Sequence, residues 1–329
     1  MRRSLLLAVL TLATLVAATA SVLFGSVEIE IARLLALLSG SSDDPIAHKI
    51  LFALRMPRTI IGLSVGAILG LAGAVMQGYL RNPLADPSVL GASSSGALGA
   101  VLALYYGLAE LHLTVLPAMA VSGALLSLGL LFLLAGRSES PLTLILAGIA
   151  VSTLAVAAIN LALNMSSNPF AAMEIMTWLM GSIENRSSSH VWIAVPCVAI
   201  GAVLLLMNGK ALDALTLGED GAKTLGIDLF ALRLRLLFGI ALGVGGAVAV
   251  SGSIGFVGLI VPHLIRPLTD RSPSAILVPS MLGGAALLTF ADIGVRVIGT
   301  STELKLGVVT AFLGVPVFLA YLIRERRIW

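Results

Sequence analysis

The apolar residues of this chain neither alternate nor recur on one face of a helix. They come in near-continuous runs over residues 5–27, 59–80, 88–107, 114–135, 142–165, 190–208, 233–252, 254–268, 274–295 and 306–323, parted by short polar breaks. A run of about twenty apolar residues matches the hydrocarbon thickness of a bilayer when helical. Lipid offers backbone amides no partner outside their own helix. The pattern therefore predicts an all-α, polytopic membrane protein of about ten transmembrane helices per subunit. The run 254–268 is the shortest and carries Pro262, which makes it the weakest span.

The polar breaks set an orientation. With the N-terminus inside, the inner breaks hold Arg2, Arg3, Arg81, Arg137, Lys210, Lys223, Arg233, Arg235, Arg266, Arg271, Arg324, Arg326 and Arg327. The outer ones hold only Arg33, Lys49, Arg55, Arg58, Arg186, Arg296 and Lys305. Excess Lys and Arg on the cytoplasmic side puts both termini in the cytoplasm. The first run is as long as a full span and ends in a poor cleavage site, so it reads as a retained helix and not a signal peptide.

Composition agrees: the 329 residues are 58% hydrophobic and 11% charged, more apolar surface than a soluble core can hide. Ten spans leave no room for a soluble domain, so residues 1–329 are expected to form a single transmembrane domain. The net charge of +3 is spread along the breaks and does not form a nucleic-acid face. One cysteine, Cys197, permits no internal disulfide and no thiolate cluster.

Gly62, Gly66 and Gly70 recur every fourth residue, and Gly239, Gly243, Gly245 and Gly246 mark the seventh run. Such faces predict close helix packing. Outside the spans, 171–183 reads as an amphipathic helix on the outer surface, and 211–227 as one or two short helices inside.

Chemistry is sparse. Gly221-Ala222-Lys223-Thr224 looks like the tail of a phosphate loop, but Ala222 replaces the required Gly and no strand precedes it. ATP binding by this chain is thus not expected. Asp292 is the one acid well inside a run, which argues against an ion-driven carrier; broken spans are not evident. Gln77, Asn160 and Asn164 read as helix–helix hydrogen bonds. His263 lacks a second ligand at metal spacing, so it reads as structural, and no metal site is expected. No catalytic constellation is arranged, so the chain reads as a non-enzyme. Arg55 and Arg58 flank Pro57 at the outer entrance of the second span, and Arg296 ends the ninth. Cations are disfavoured there, so they call for a partner, such as carboxylates on a docking protein.

Residues 54–100, with Gln77, Arg81-Asn82-Pro83-Leu84-Ala85 and Pro87, resemble the permease signature of ATP-binding-cassette importers for iron chelates, haem and cobalamin. SGSIGFVGLIVPHLIRPL (251–268, with Gly255, Pro262 and His263), ADIGVRV (291–297) and LKLGVVTAFLGVPVFLAYL (304–322) are similar to the family's further motifs, in the same order. The resemblance covers nearly the whole chain.

It implies a homodimer in the bacterial cytoplasmic membrane, two separate ATPase subunits that hold ATP and Mg, and a periplasmic or lipid-anchored binding protein. It places ATPase coupling at Gly218, Glu219, Ala222, Leu225 and Gly226, binding-protein docking at Arg55, Arg58 and Arg296, and a cytoplasmic gate near Ser138–Pro141. Ferric siderophore is the expected cargo on the breadth of the family, with haem or cobalamin as alternatives. The rival from another class is an ion-driven secondary carrier.

Overall fold

The structure is a computed structural model. It describes residues 3–25, 30, 33, 37, 44–136, 140–298 and 304–326, with side chains of the last helix described up to 319 and at Ile323. Ser138 and Glu139, part of the expected gate, lie outside the described residues, as do Arg2, Arg137 and Arg327.

Every apolar run becomes a helix. The spans are α1 (Arg3–Leu23), α2 (Pro45–Tyr79), α3 (Ala92–Tyr105), α4 (Val115–Ala135), α5 (Pro141–Met165), α7 (Ser188–Leu206), α10 (Leu229–Ser251), α11 (Val257–Ile265), α12 (Pro273–Val297) and α13 (Leu306–Arg326). Seven of these are long and apolar enough to cross a bilayer; α3, α11 and α13 hold shorter apolar stretches. Between them lie α6 (Pro169–Leu179), α8 (Gly209–Leu215) and α9 (Glu219–Thr224). The outer amphipathic helix and the paired inner helices thus form where the polar breaks predict.

α2 and α10 form the centre of the bundle, buried along most of their length, while α1, α4, α5 and α7 turn most of their surface outward. Position along the radius follows side-chain size. Where α2 meets α12, a methyl group on Gly66 would overlap the carbonyl oxygen of Gly284, and one on Gly284 would overlap that of Gly66. Gly70 stands in the same relation to Ser280, and Gly73 to Gly258 of α11. Backbones touch because nothing larger than hydrogen lies between them. The same device joins α3 to α4 at Gly99 and Gly123, and α7 to α10 at Gly201.

Two departures from regular helix have local causes. Pro57 has no N–H for an ordinary helical bond, and the turn before it, Ile50–Arg55, widens to a π-helix whose closing bond runs from the Met56 N–H to the Leu51 carbonyl. The second falls between the runs 233–252 and 254–268, which the sequence already parts. After Ser251 the chain leaves helical geometry through Gly252 (φ 66°) and Phe256 (φ 68°), and α11 then runs for only nine residues. At 1.5 Å per residue that is about 14 Å, roughly half a bilayer. The unwound backbone is covered at its start, where the Ser251 carbonyl accepts from the Ser182 N–H at 2.7 Å and Gly252 lies against the Trp178 carbonyl, while Ser253 and Gly255 are exposed. Irregular backbone survives at membrane depth only under such cover or where it meets water.

Candidate functional site

Functional side chains gather at the two ends of the bundle. At the end expected outside, called outer below, Asp292 of α12 is 1% exposed and holds two guanidinium groups. Arg58 of α2 places Nη2 2.7 Å from Oδ1 and Nε 3.1 Å from both oxygens. Arg296, one turn along α12, places Nη2 2.9 Å from Oδ2. Arg296 also donates from Nη1 to the carbonyls of Ser21 (3.0 Å) and Phe24 (2.9 Å), and from Nη2 to Ser21 Oγ (2.7 Å). Arg55 donates from Nη1 to the carbonyls of Val22 (2.8 Å) and Leu23 (2.7 Å). Those carbonyls are the unpaired acceptors at the C-terminus of α1, where the helix dipole also favours a cation.

This arrangement changes the reading of the three arginines. They were expected as exposed forks for a docking protein; Arg55 is 5% and Arg296 7% exposed, and Arg58 keeps only its edge at the surface. The partner that their position demands lies inside the chain. Together they clasp the outer ends of α1, α2 and α12. Aspartate and arginine four residues apart on one helix, Asp292 and Arg296, was the sequence signal for it.

The loop 180–187 closes the same end. Lys305, ahead of α13, pairs with Glu184 at 2.9 Å. Arg186 is covered, and burial holds its guanidinium below the usual arginine range, with Glu184 opposing that shift.

At the inner end the signature residues converge. Gln77 Oε1 accepts from Arg266 Nη2 at 3.0 Å, and Nε2 donates to the Leu259 carbonyl at 3.2 Å, so this amide does join two spans. Arg81 ends α2 with φ 49°, Asn82 Oδ1 accepts from the Leu84 N–H at 2.9 Å, and Pro87 opens a 3-10 turn. Pro83 and Leu84 share a small apolar cleft with His263 of α11 and Phe318 of α13. Pro262 is buried in α11; Gly255 lies at the far end of that helix, in open space.

The helix pair α8–α9, expected on the cytoplasmic side, is anchored and also displayed. Asp213 Oδ1 accepts from the Ser274 N–H at 2.8 Å, fixing α8 to the start of α12. α9 is bracketed by Gly218 (φ 94°) and Gly226 (φ 81°). Among the five expected coupling residues, Leu225 and Gly226 are exposed and Gly218 and Glu219 are half-buried. Ala222 is 0% exposed and packs into the core, so its surface cannot meet a partner. Leu217 and Leu225, on either side of α9, are exposed apolar residues of this element.

Asn160 and Asn164, expected in helix–helix hydrogen bonds, instead lie exposed on α5 without a side-chain bond to a described residue. With Ala150, Thr153 and Ala157 they form a small, polar stripe, and Leu142, Ile149 and Val156 border it on one side, Leu154 and Leu161 on the other. A helix that faces lipid along this side would ordinarily be aliphatic throughout.

Comparison with known proteins agrees with this anatomy. The model of the FecCD transport family matches residues 12–324. An ABC transporter permease of Bacillus subtilis, YvrB, is 40% identical over 294 residues, 87% of this chain and 82% of its own length. The vitamin B12 import system permease BtuC of Vibrio vulnificus is 38% identical over 286 residues, 87% and 86% of the two chains. A structure described as an inward-facing metal-chelate type ABC transporter superposes with TM-score 0.87 at 32% identity, over 97% of this chain and 98% of that one. PsaBC of Streptococcus pneumoniae shares the fold alone, with TM-score 0.56 at 18% identity.

Proposed function

The chain belongs to the FecCD transport family, and from that premise we propose that it is the membrane-spanning permease of a binding-protein-dependent importer of metal chelates. The observation that carries the reading is the exposed stripe of α5. Amides and a hydroxyl along a transmembrane helix are expensive against lipid, and their small neighbours admit another helix or a water-filled path. Two copies of this single-domain chain, facing each other across that stripe, would enclose a pathway with a modestly polar wall.

Each end then has a task. A cargo-loaded binding protein meets the outer end; the clasp of Arg55, Arg58, Arg296 and Asp292 fixes the shape of that face, and the edge of Arg58 is what it offers directly. The exposed side of α9, with Leu217 and Leu225, fits a groove on a separate ATPase subunit, which brings the ATP and Mg. Both termini and α9 share the cytoplasmic side of a bacterial inner membrane. Cobalamin becomes the first cargo to test, because similar permeases from Vibrio and Halobacterium bear that name; a ferric siderophore and haem follow.

The test is reconstitution. Vesicles holding this chain, its ATPase and its binding protein are expected to accumulate one of these chelates only when ATP is enclosed on the α9 side. Accumulation by the chain alone under an ion gradient would establish the secondary carrier instead.

A further inference from the structure

The polar cluster that precedes α7 carries one cation too many. Glu184 is the one acid acting on Arg186 among the described residues, and its carboxylate is already held by Lys305 at 2.9 Å. Arg186 Nε is covered and finds no hydrogen-bond acceptor. A covered charge without a partner costs free energy. The loop itself is firmly held: the Gly307 N–H donates to the Gly181 carbonyl at 3.2 Å, the Ser182 N–H to that of Ser251, and Ile183 is fully buried. The missing counter-charge is therefore to be sought outside the chain.

The start of α7 supplies the rest of a cradle. The charge of Arg186 acts on His190 in its first turn. His190 Nδ1 accepts from the Ser187 N–H at 3.2 Å, and the Ser187 carbonyl accepts from the N–H groups of His190 and Val191. The N–H groups of Ser188 and Ser189 have no acceptor among the described residues, and both serines are exposed. Two amides, two hydroxyls and a guanidinium suit a tetrahedral oxyanion.

The surroundings decide which one. α7 has 19 residues, about 28 Å, close to the thickness of the hydrocarbon core. Its first turn thus stands at headgroup level. Below it Trp192, Pro196, Ile200 and Val203 follow one another down the exposed side, and Trp192, 80% exposed, is the residue type favoured at that boundary. We propose that Arg186, Ser188 and Ser189 hold the phosphodiester of a phospholipid whose acyl chains lie along this stripe. A carboxylate on a docking protein would meet the charge but leave the aligned apolar stripe unused. The site is separate from cargo, pathway and ATPase, and does not rest on the importer reading.

The test uses the full chain in detergent, stripped of lipid and titrated with dioleoyl phosphatidylglycerol, with bound lipid counted by native mass spectrometry. Phosphatidylglycerol is expected to be retained at least fivefold more than diacylglycerol with the same chains, and glycerol phosphate to leave the melting temperature unmoved. Arg186→Gln is expected to lower retention at least fivefold. Ser189→Asp separates the site from mere folding: an acid in the first turn suits the helix dipole and gives Arg186 a partner within the chain. That variant should melt no lower than the native chain without lipid, yet lose phosphatidylglycerol to the same extent. Native retention in either variant would overturn the site. Equal stabilisation by glycerol phosphate would overturn lipid as the occupant in favour of a soluble phosphate. Unchanged retention in Arg186→Gln together with lost affinity for the binding protein would overturn it in favour of a docking contact.

Discussion

Arg58 and Asp292, 234 positions apart in sequence, meet at 2.7 Å on the outer side of the bundle and bind the second span to the ninth. Asp292 balances two buried cations at once. Its removal is expected to destabilise the protein by about 3–5 kcal/mol, the usual cost of leaving buried charge unpaired. Thermal unfolding of Asp292→Ala in detergent measures this. Arg58→Ala should cost less, because its edge reaches solvent.

Arg55 and Arg296 hold the last carbonyls of α1. Arg296→Lys should fail to replace the native residue, since an ammonium cannot span Ser21, Phe24 and Asp292 as a planar fork does. Hydrogen exchange at residues 21–25 is expected to quicken in Arg296→Lys and in Arg55→Ala, with the remainder of the chain unaffected.

Gly66 and Gly129 provide a matched pair. Gly66→Ala forces a methyl group into the Gly284 carbonyl and should cost several kcal/mol or prevent folding, beyond the roughly 1–3 kcal/mol typical of overpacked cores. Gly129 has open space where its side chain would be. Gly129→Ala should be neutral or slightly stabilising, by up to about 1 kcal/mol for a helix interior. Expression and melting temperature separate the two.

Asn160→Leu should leave the single chain as stable as before, since no described residue bonds that amide. Dimer formation or uptake should fall at least tenfold if the stripe faces a pathway or a second copy; the paired measurements of melting temperature and transport decide.

The spans and their order were readable because lipid imposes one rule on every segment, and a continuous apolar run has few other uses. The fate of the outer arginines was not. Charge statistics locate a cation at a membrane face but say nothing of which carboxylate or helix end lies beside it, and only the Asp292–Arg296 spacing hinted at the answer. The break at 252–256 was legible as the gap between the runs 233–252 and 254–268; what hydropathy overstated was the length of α11, because an apolar stretch reads the same whether it is helical or unwound. Ala222 was misjudged because a small residue in an exposed segment looks the same whether it faces a partner or the core. Asn160 and Asn164 were noticed, but an amide in an apolar run reads the same whether it turns toward a neighbouring helix or outward.

The interlock of Gly66 with Gly284 bears on how such a machine can change shape. Meshed backbones do not glide; one must climb a whole turn, about 5.4 Å, before the next pair of notches aligns. The second and ninth spans should therefore travel as one plank through the transport cycle. Any change between open faces then has to come from helices outside that plank.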